Sequence, residues 1–204
     1  MTIPSLLRHL GIEVPRYVTV DGRIVTDGIT HAATGASHST YGSVTPIASH
    51  TFHGGRDPLL ATTTAAWWDD EDALLRHRES MGTAFPGFKF SPANGTRPPT
   101  WFGVINTGRG RFKVGIFLRR DEGLPSIRVF GPQLGAYSSG RWVRSPHLYD
   151  SGNLCVADQS DWNPAVHTAA TATAWAAHWL AAYTEWRMSR RWPAEGVRHE
   201  LDEA

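Results

Sequence analysis

The chain has 204 residues, of which 20 are basic and 19 acidic, a formal net charge of +1 with histidine neutral, and one cysteine. A length of this order fits one domain, or one domain with an extension, and is enough chain to bury a core. The near balance of charge, with no basic block interleaved with aromatics, argues against a nucleic-acid partner; a lone cysteine excludes an internal disulfide and fits a reducing cytoplasm; and no apolar run approaches the roughly 20 residues that cross a bilayer.

The first ten residues lack a basic stretch followed by a long apolar one, so no secretory leader and no membrane association are expected, and the protein reads as cytoplasmic. From Arg16 to Thr26, β-forming residues alternate around Asp21-Gly22. That pair suits a type I′ turn, whose two central residues both need positive φ, and it predicts a hairpin. From Asp27 to Thr63 the chain is rich in Gly, Ser, Thr, Ala and His without clear periodicity, which predicts a long flexible loop. His31, His38, His50 and His53 fall there; with no cysteine nearby and only the last two closely spaced, they read as solvated histidines, since a zinc site needs about four well-placed ligands. Residues 1–63 are thus read as an N-terminal extension, and 64–204 as a second region expected to fold without it.

The second region opens with a helix. Trp67, Trp68, Leu74, Leu75 and Met81 lie roughly on one helical face, Asp69 to Asp72 load its first turns with acid, and Gly82 and Pro86 stop it. Strands follow at Phe88 to Phe90, Trp101 to Asn106, Phe112 to Leu118 and Ser126 to Phe130. The glycine-rich link Thr107 to Arg111 is a hairpin loop, too short and wrongly placed for a phosphate-binding fingerprint, which should open a helix. After Gly131-Pro132 the chain reads as a polar loop around Tyr137-Ser-Ser-Gly140. A helix, an antiparallel meander and a second long helix indicate an α+β domain. That second helix runs from about Thr168 to Arg190, with Ala172, Trp175, Trp179, Ala182 and Trp186 in one stripe that reads as core-facing, and Arg187, Arg190 and Arg191 at its negative end.

Between the meander and the last helix lies Ser145 to His167: Ser-Pro-His, a glycine turn at Asp150 to Asn153, Cys155, the acidic residues Asp158 and Asp161, and Trp162-Asn-Pro164. Alone, a single cysteine is most often a small buried hydrophobe. Here it follows a tight turn and precedes an acidic loop, so it is expected near the surface at a strand end.

This stretch resembles the active-site segment of ubiquitin-conjugating enzymes. In that family a His-Pro-Asn tripeptide precedes a glycine turn and the cysteine that carries ubiquitin as a thioester, and a Trp-x-Pro leads into a helix. Pro146 falls on the family proline, Gly152 on the turn glycine, Cys155 on the nucleophile, and Trp162 and Pro164 on Trp-x-Pro. Two positions depart: Ser145 replaces the histidine and His147 the asparagine. The proline-rich turn usual before the tripeptide is also missing. A Pro-His version with a Trp-rich last helix, and a tail running through His199, is similar to the bacterial branch of the family found in ubiquitin-like and antiviral conjugation operons. The resemblance covers roughly residues 64–192.

It implies a ubiquitin-conjugating fold and acyl transfer. The Cys155 thiolate would take a ubiquitin-like protein from an activating enzyme and pass it to an amine of a protein acceptor, with no metal or organic cofactor. The family asparagine is assigned to the oxyanion. His147 can donate through one ring N–H, act as a base, or simply pin the cysteine loop. Asp158 and Asp161 could orient an incoming lysine or be loop residues, and Trp162 would anchor the loop by packing. Two other classes stay open: a Cys-His hydrolase, although no papain-like or caspase-like sequence surrounds Cys155, and a non-catalytic binding module of the same fold.

Overall fold

A computed structural model describes residues 14–59, 66–95, 97–131 and 133–193. Its centre is helix α2, Ala169–Ser189, capped by Thr168 and ended by Arg190 in the left-handed region. Ala172, Trp175, Trp179, Ala182 and Trp186 are buried, as their spacing predicts. So are Ala170, Ala174, Ala176, Ala177, Leu180 and Tyr183, which means that the helix is enclosed on nearly every side rather than along one stripe.

Strands β6 (Lys89–Ser91), β7 (Thr100–Asn106), β8 (Arg111–Phe117) and β9 (Ser126–Phe130) form an antiparallel meander in that order, close to the strands expected from the sequence. Trp101 and Ile105 of β7, Val114 and Ile116 of β8 and Ile127 of β9 turn inward and join the α2 residues in one core. Helix α1, Glu71–Ala84, covers the start of α2, where the buried ring of His77 accepts the Ala169 amide through Nδ1 at 3.0 Å. Asp70 caps α1, accepting the amides of Asp72 and Ala73. Its extended backbone separates α1 from a single 3-10 turn at Trp67–Asp69. This break shifts the helical phase counted from Trp67, so Leu75 is exposed and His77 takes the buried place. Gly82 lies inside the helix, which ends at Phe85 instead.

Over residues 29–46 the chain is not the flexible loop expected from Asp27 to Thr63. Strands β1 (Tyr17–Thr19), β2 (Ile24–Val25), β3 (Ile29–Ala32), β4 (Gly35–His38) and β5 (Gly42–Pro46) build a five-stranded sheet in the order β2-β1-β5-β4-β3. Strands β3 and β4 are short and mostly solvated on both faces, so neither leaves an alternating pattern to read. The Asp21-Gly22 hairpin is present, but only Gly22 has positive φ and its amide bonds to Thr19 O, so its turn is wider than type I′. Gly22 also lies so close to β7 that a Cβ there would meet Ile105 at 2.7 Å. Val18 and Phe52 pack in the same core as α2, and Trp175 donates its indole N–H to Ala48 O at 2.9 Å. The boundary read near Thr64 lies outside the described residues, as do Pro132 and the tail with His199.

The polar loop expected after Gly131 is a second correction. Strands β10 (Gly135–Ser138) and β11 (Arg141–Arg144) form a hairpin, and here both turn residues, Ser139 and Gly140, have positive φ. Among the described residues no helix is long and apolar enough to cross a membrane.

Candidate active site

Beyond β11 the chain makes a tight hairpin. Leu148 bridges Leu154, the Tyr149 amide bonds to Asn153 O at 3.0 Å, and the Gly152 amide bonds to Tyr149 O at 2.8 Å. Gly152 sits at φ +86, a conformation that favours glycine. The Leu154 amide bonds to Ile127 O of β9 at 2.9 Å, which seats the next residue, Cys155, against the core. The Cys155 amide then bonds to His147 O at 3.1 Å, and the same oxygen accepts the Trp179 indole N–H at 2.9 Å.

Cys155 is 1% exposed, whereas its place after the turn suggests a surface thiol. Two things bury it. Its neighbours Leu154, Val156 and Ala157 are themselves core residues. From the other side, residues 51–57 run across it: Gly55 pairs with Tyr149, the Asp150 amide bonds to Gly55 O at 2.8 Å, and Asp57 accepts both the Ser151 amide, at 2.9 Å, and the Ser151 hydroxyl. The thiol points at its acceptor, Ala157 O, at 3.9 Å, with the Tyr149 hydroxyl and the backbone amide of His53 close by. Burial pushes the Cys155 thiol above its ordinary range, opposed by those two donors and reinforced by the charge of Asp158. Burial raises the Tyr149 phenol as well.

His147 sits at φ +55 and places Nδ1 2.7 Å from His53 O. A carbonyl only accepts, so Nδ1 carries the proton and, in the neutral ring, Nε2 carries none. Burial holds the ring below the usual histidine range, with the bond to His53 acting in the opposite sense.

The supporting residues divide into two groups. The Asp161 carboxylate accepts the Thr51 amide at 2.7 Å and the Asp158 amide at 3.1 Å, tying the acidic loop to the crossing segment. Trp162 donates its indole N–H to Glu122 O at 2.7 Å and packs on Trp175. Ser145 is buried, with its amide on Leu134 O and its hydroxyl on Pro146 O. Pro146 is half-buried beside it. Asp158 stands nearer the thiol, with one oxygen on the Ser160 amide and the other 3.4 Å from His53 Nε2.

Three residues of the site escape sequence reasoning. His53 lies 94 positions from His147, and nothing local announces the contact. Tyr149 is inside the motif, but a tyrosine before a turn carries no signal of its own. Trp179 reads correctly as core; its buried indole N–H, which needs an acceptor, was the available clue. Behind the site, His50 donates through Nδ1 to Ala48 O at 2.8 Å and accepts from His178 Nδ1 at 3.0 Å. Burial lowers these rings to about 4 and about 3, so both are neutral. Beside the 149–152 turn lies an open groove of about 550 Å³, lined by residues that include Arg128, Trp142, Arg144 and Asp150. Among the described residues, no three His, Cys, Asp or Glu side chains gather as a metal site would need.

A protein-family model described as Type II CBASS E2 protein matches residues 77–200, more than half of the chain. The matched span includes Tyr149, Cys155 and Trp179 but not residues 51–57. No curated protein and no solved structure matches the chain.

Proposed function

The chain belongs to the Type II CBASS E2 protein family, a bacterial E2-like family of antiviral conjugation, and from that premise we propose that it is an acyltransferase working through Cys155. In the first half-reaction the Cys155 thiolate attacks the thioester carbonyl between an E1-like enzyme and a ubiquitin-like protein, and the E1-like sulfur leaves as thiolate. In the second, an amine of a protein acceptor attacks the new thioester, gives up a proton, and expels the Cys155 thiolate. ATP is spent upstream by the activating enzyme, so this chain needs no metal or organic cofactor.

One observation carries the reading: within the span matched by the family, the chain's one cysteine sits at the end of a tight hairpin, with its amide fixed on His147 O at 3.1 Å. The Tyr149 hydroxyl and the His53 amide can stabilise the thiolate and, after a small shift, the oxyanion of the tetrahedral intermediate. His147 is a positioning residue whose ring holds residue 53 and whose carbonyl holds Cys155. Asp158 offers negative charge to an incoming lysine, Asp161 and Trp162 fix the loop, and Ser145, Pro146 and Gly152 shape the turn.

The test is incubation of the full chain with an E1-like enzyme, its ubiquitin-like protein and ATP. A DTT-sensitive adduct is expected with wild type and not with Cys155→Ser. The same adduct on the serine variant overturns the assignment. The burial of the thiol favours a second reading, a non-catalytic module of the same fold, which predicts no adduct with a competent E1-like enzyme. Cleavage of a precursor would instead indicate a hydrolase.

A further inference from the structure

We propose that residues 53–57 are a strap closed over Cys155, and that the strap must lift before the thiol can be acylated. This rests on the reading of Cys155 as the carrier. A thioester carbon has to come within about 3–3.5 Å of the sulfur along an open line of attack. A cysteine 1% exposed offers no such line, so one wall of its site has to move.

The two walls differ in what holds them. One is Leu154, Val156 and Ala157, all buried in the core, and displacing it means exposing apolar surface. The other is the strap. Gly54, Gly55 and Arg56 are exposed, and no residue from His53 to Asp57 belongs to the hydrophobic core. The strap is held by polar contacts: His53 O to the His147 ring, Gly55 O to the Asp150 amide, and the Asp57 carboxylate to the amide and hydroxyl of Ser151. Water can replace each of these at small net cost. Before the strap, Phe52 is fixed in the core, and Thr51 is tied to Asp161, so this end is a firm anchor. Gly55, at φ +100, gives the strap a residue free to change conformation. The strap also lies outside the span matched by the family.

The experiment measures the rate at which a small thiol reagent such as DTNB labels the full-length native protein. Cys155 is the only cysteine, so the signal reports one site. The wild-type thiol is expected to react at least about a hundredfold more slowly than glutathione, as opening would cost a few kcal/mol. Asp57→Ala removes both bonds to Ser151 and should raise the rate at least about tenfold, since losing even one hydrogen bond to a carboxylate is worth about that factor. Asp57→Asn keeps acceptor oxygen for Ser151 and should stay near wild type. Low urea separates strap opening from unfolding, because lifting five residues exposes little surface and leaves the rate nearly independent of urea.

A wild-type rate equal to glutathione, an unchanged rate in Asp57→Ala, or labelling that follows urea as steeply as global unfolding would each overturn the strap. No conjugation partner is used. A failure to form the thioester adduct alongside the expected labelling rates would therefore remove the carrier reading and leave the strap standing.

Discussion

Trp179 holds the backbone of His147 from inside the core: its indole N–H lies 2.9 Å from the His147 carbonyl oxygen, and the tryptophan is fully buried. That oxygen also receives the Cys155 amide, so one helix side chain sets the position of both residues. Trp179→Phe keeps most of the apolar volume and removes the N–H. A loss of about 1–3 kcal/mol in stability is expected, with slower thioester formation at an unchanged fold. Urea unfolding and single-turnover charging check this, and a variant equal to wild type in both would show that the bond is dispensable.

His147 carries two demands, a left-handed backbone and a donor for His53 O. Asparagine meets both, since it adopts positive φ readily and its amide N–H can reach a carbonyl. Alanine loses the donor and pays for the backbone, about 1–3 kcal/mol together. A positioning role predicts that His147→Ala slows charging and discharge alike and that His147→Asn restores both. A general base predicts that asparagine is as poor as alanine and that a pH step near about 6.5 disappears. An oxyanion donor predicts that His147→Ala slows discharge more than charging. Discharge of pre-charged protein to free lysine across pH, for the three proteins, tells these apart.

The neutral His50–His178 pair sets an acid limit. Both rings titrate lower in the folded chain, at about 4 and about 3, than the 6.5 expected when unfolded. Below pH 6.5 the unfolded chain therefore binds more protons, and stability falls as pH drops from 6.5 toward 3. His77, also lowered to about 4, acts in the same direction. At the alkaline end the raised Cys155 and Tyr149 work oppositely: the unfolded chain deprotonates first, so stability falls again as pH rises past the ordinary thiol range. Urea midpoints should fall on both sides of neutrality. His178→Asn, which keeps a donor for His50, should flatten the acid limb; midpoints unchanged between pH 6.5 and 4.5 would contradict a buried neutral pair.

Removing residues 1–63 is expected to unfold the rest, contrary to what the sequence suggests. The cut takes Val18 and Phe52 from the core, at about 1.5–3 kcal/mol each. It also strips the acceptors of Trp175 and of the His147 ring. A chain starting at Thr64 should lose cooperative unfolding and show solvent-exposed tryptophan fluorescence. A sharp transition near the wild-type temperature would mean that the second region is self-sufficient.

What could be read in advance followed from periodicity and turn chemistry. The meander strands alternate and pair with their neighbours in sequence, and the spacing of tryptophan and alanine marks α2 as buried. The glycine at the turn before Cys155 is legible for the same reason, since φ +86 asks for that residue. The five-stranded sheet is not legible, because β1 pairs with β5 across more than twenty residues and two of the strands between, β3 and β4, are solvated. The burial of Cys155 was hidden for a related cause. The segment that covers it is polar and glycine-rich, and such a stretch looks like a loop wherever it rests.

Burial of Cys155 also bears on its redox chemistry. Exposed thiolates attack oxidants as they attack acyl donors, and this sulfur is neither exposed nor readily ionised. With no second cysteine in the chain, a sulfenic acid formed there could not be resolved by an internal disulfide, and further oxidation to the sulfinic state would end its use. The cover over the thiol and its reluctance to ionise thus both guard it against oxidative loss.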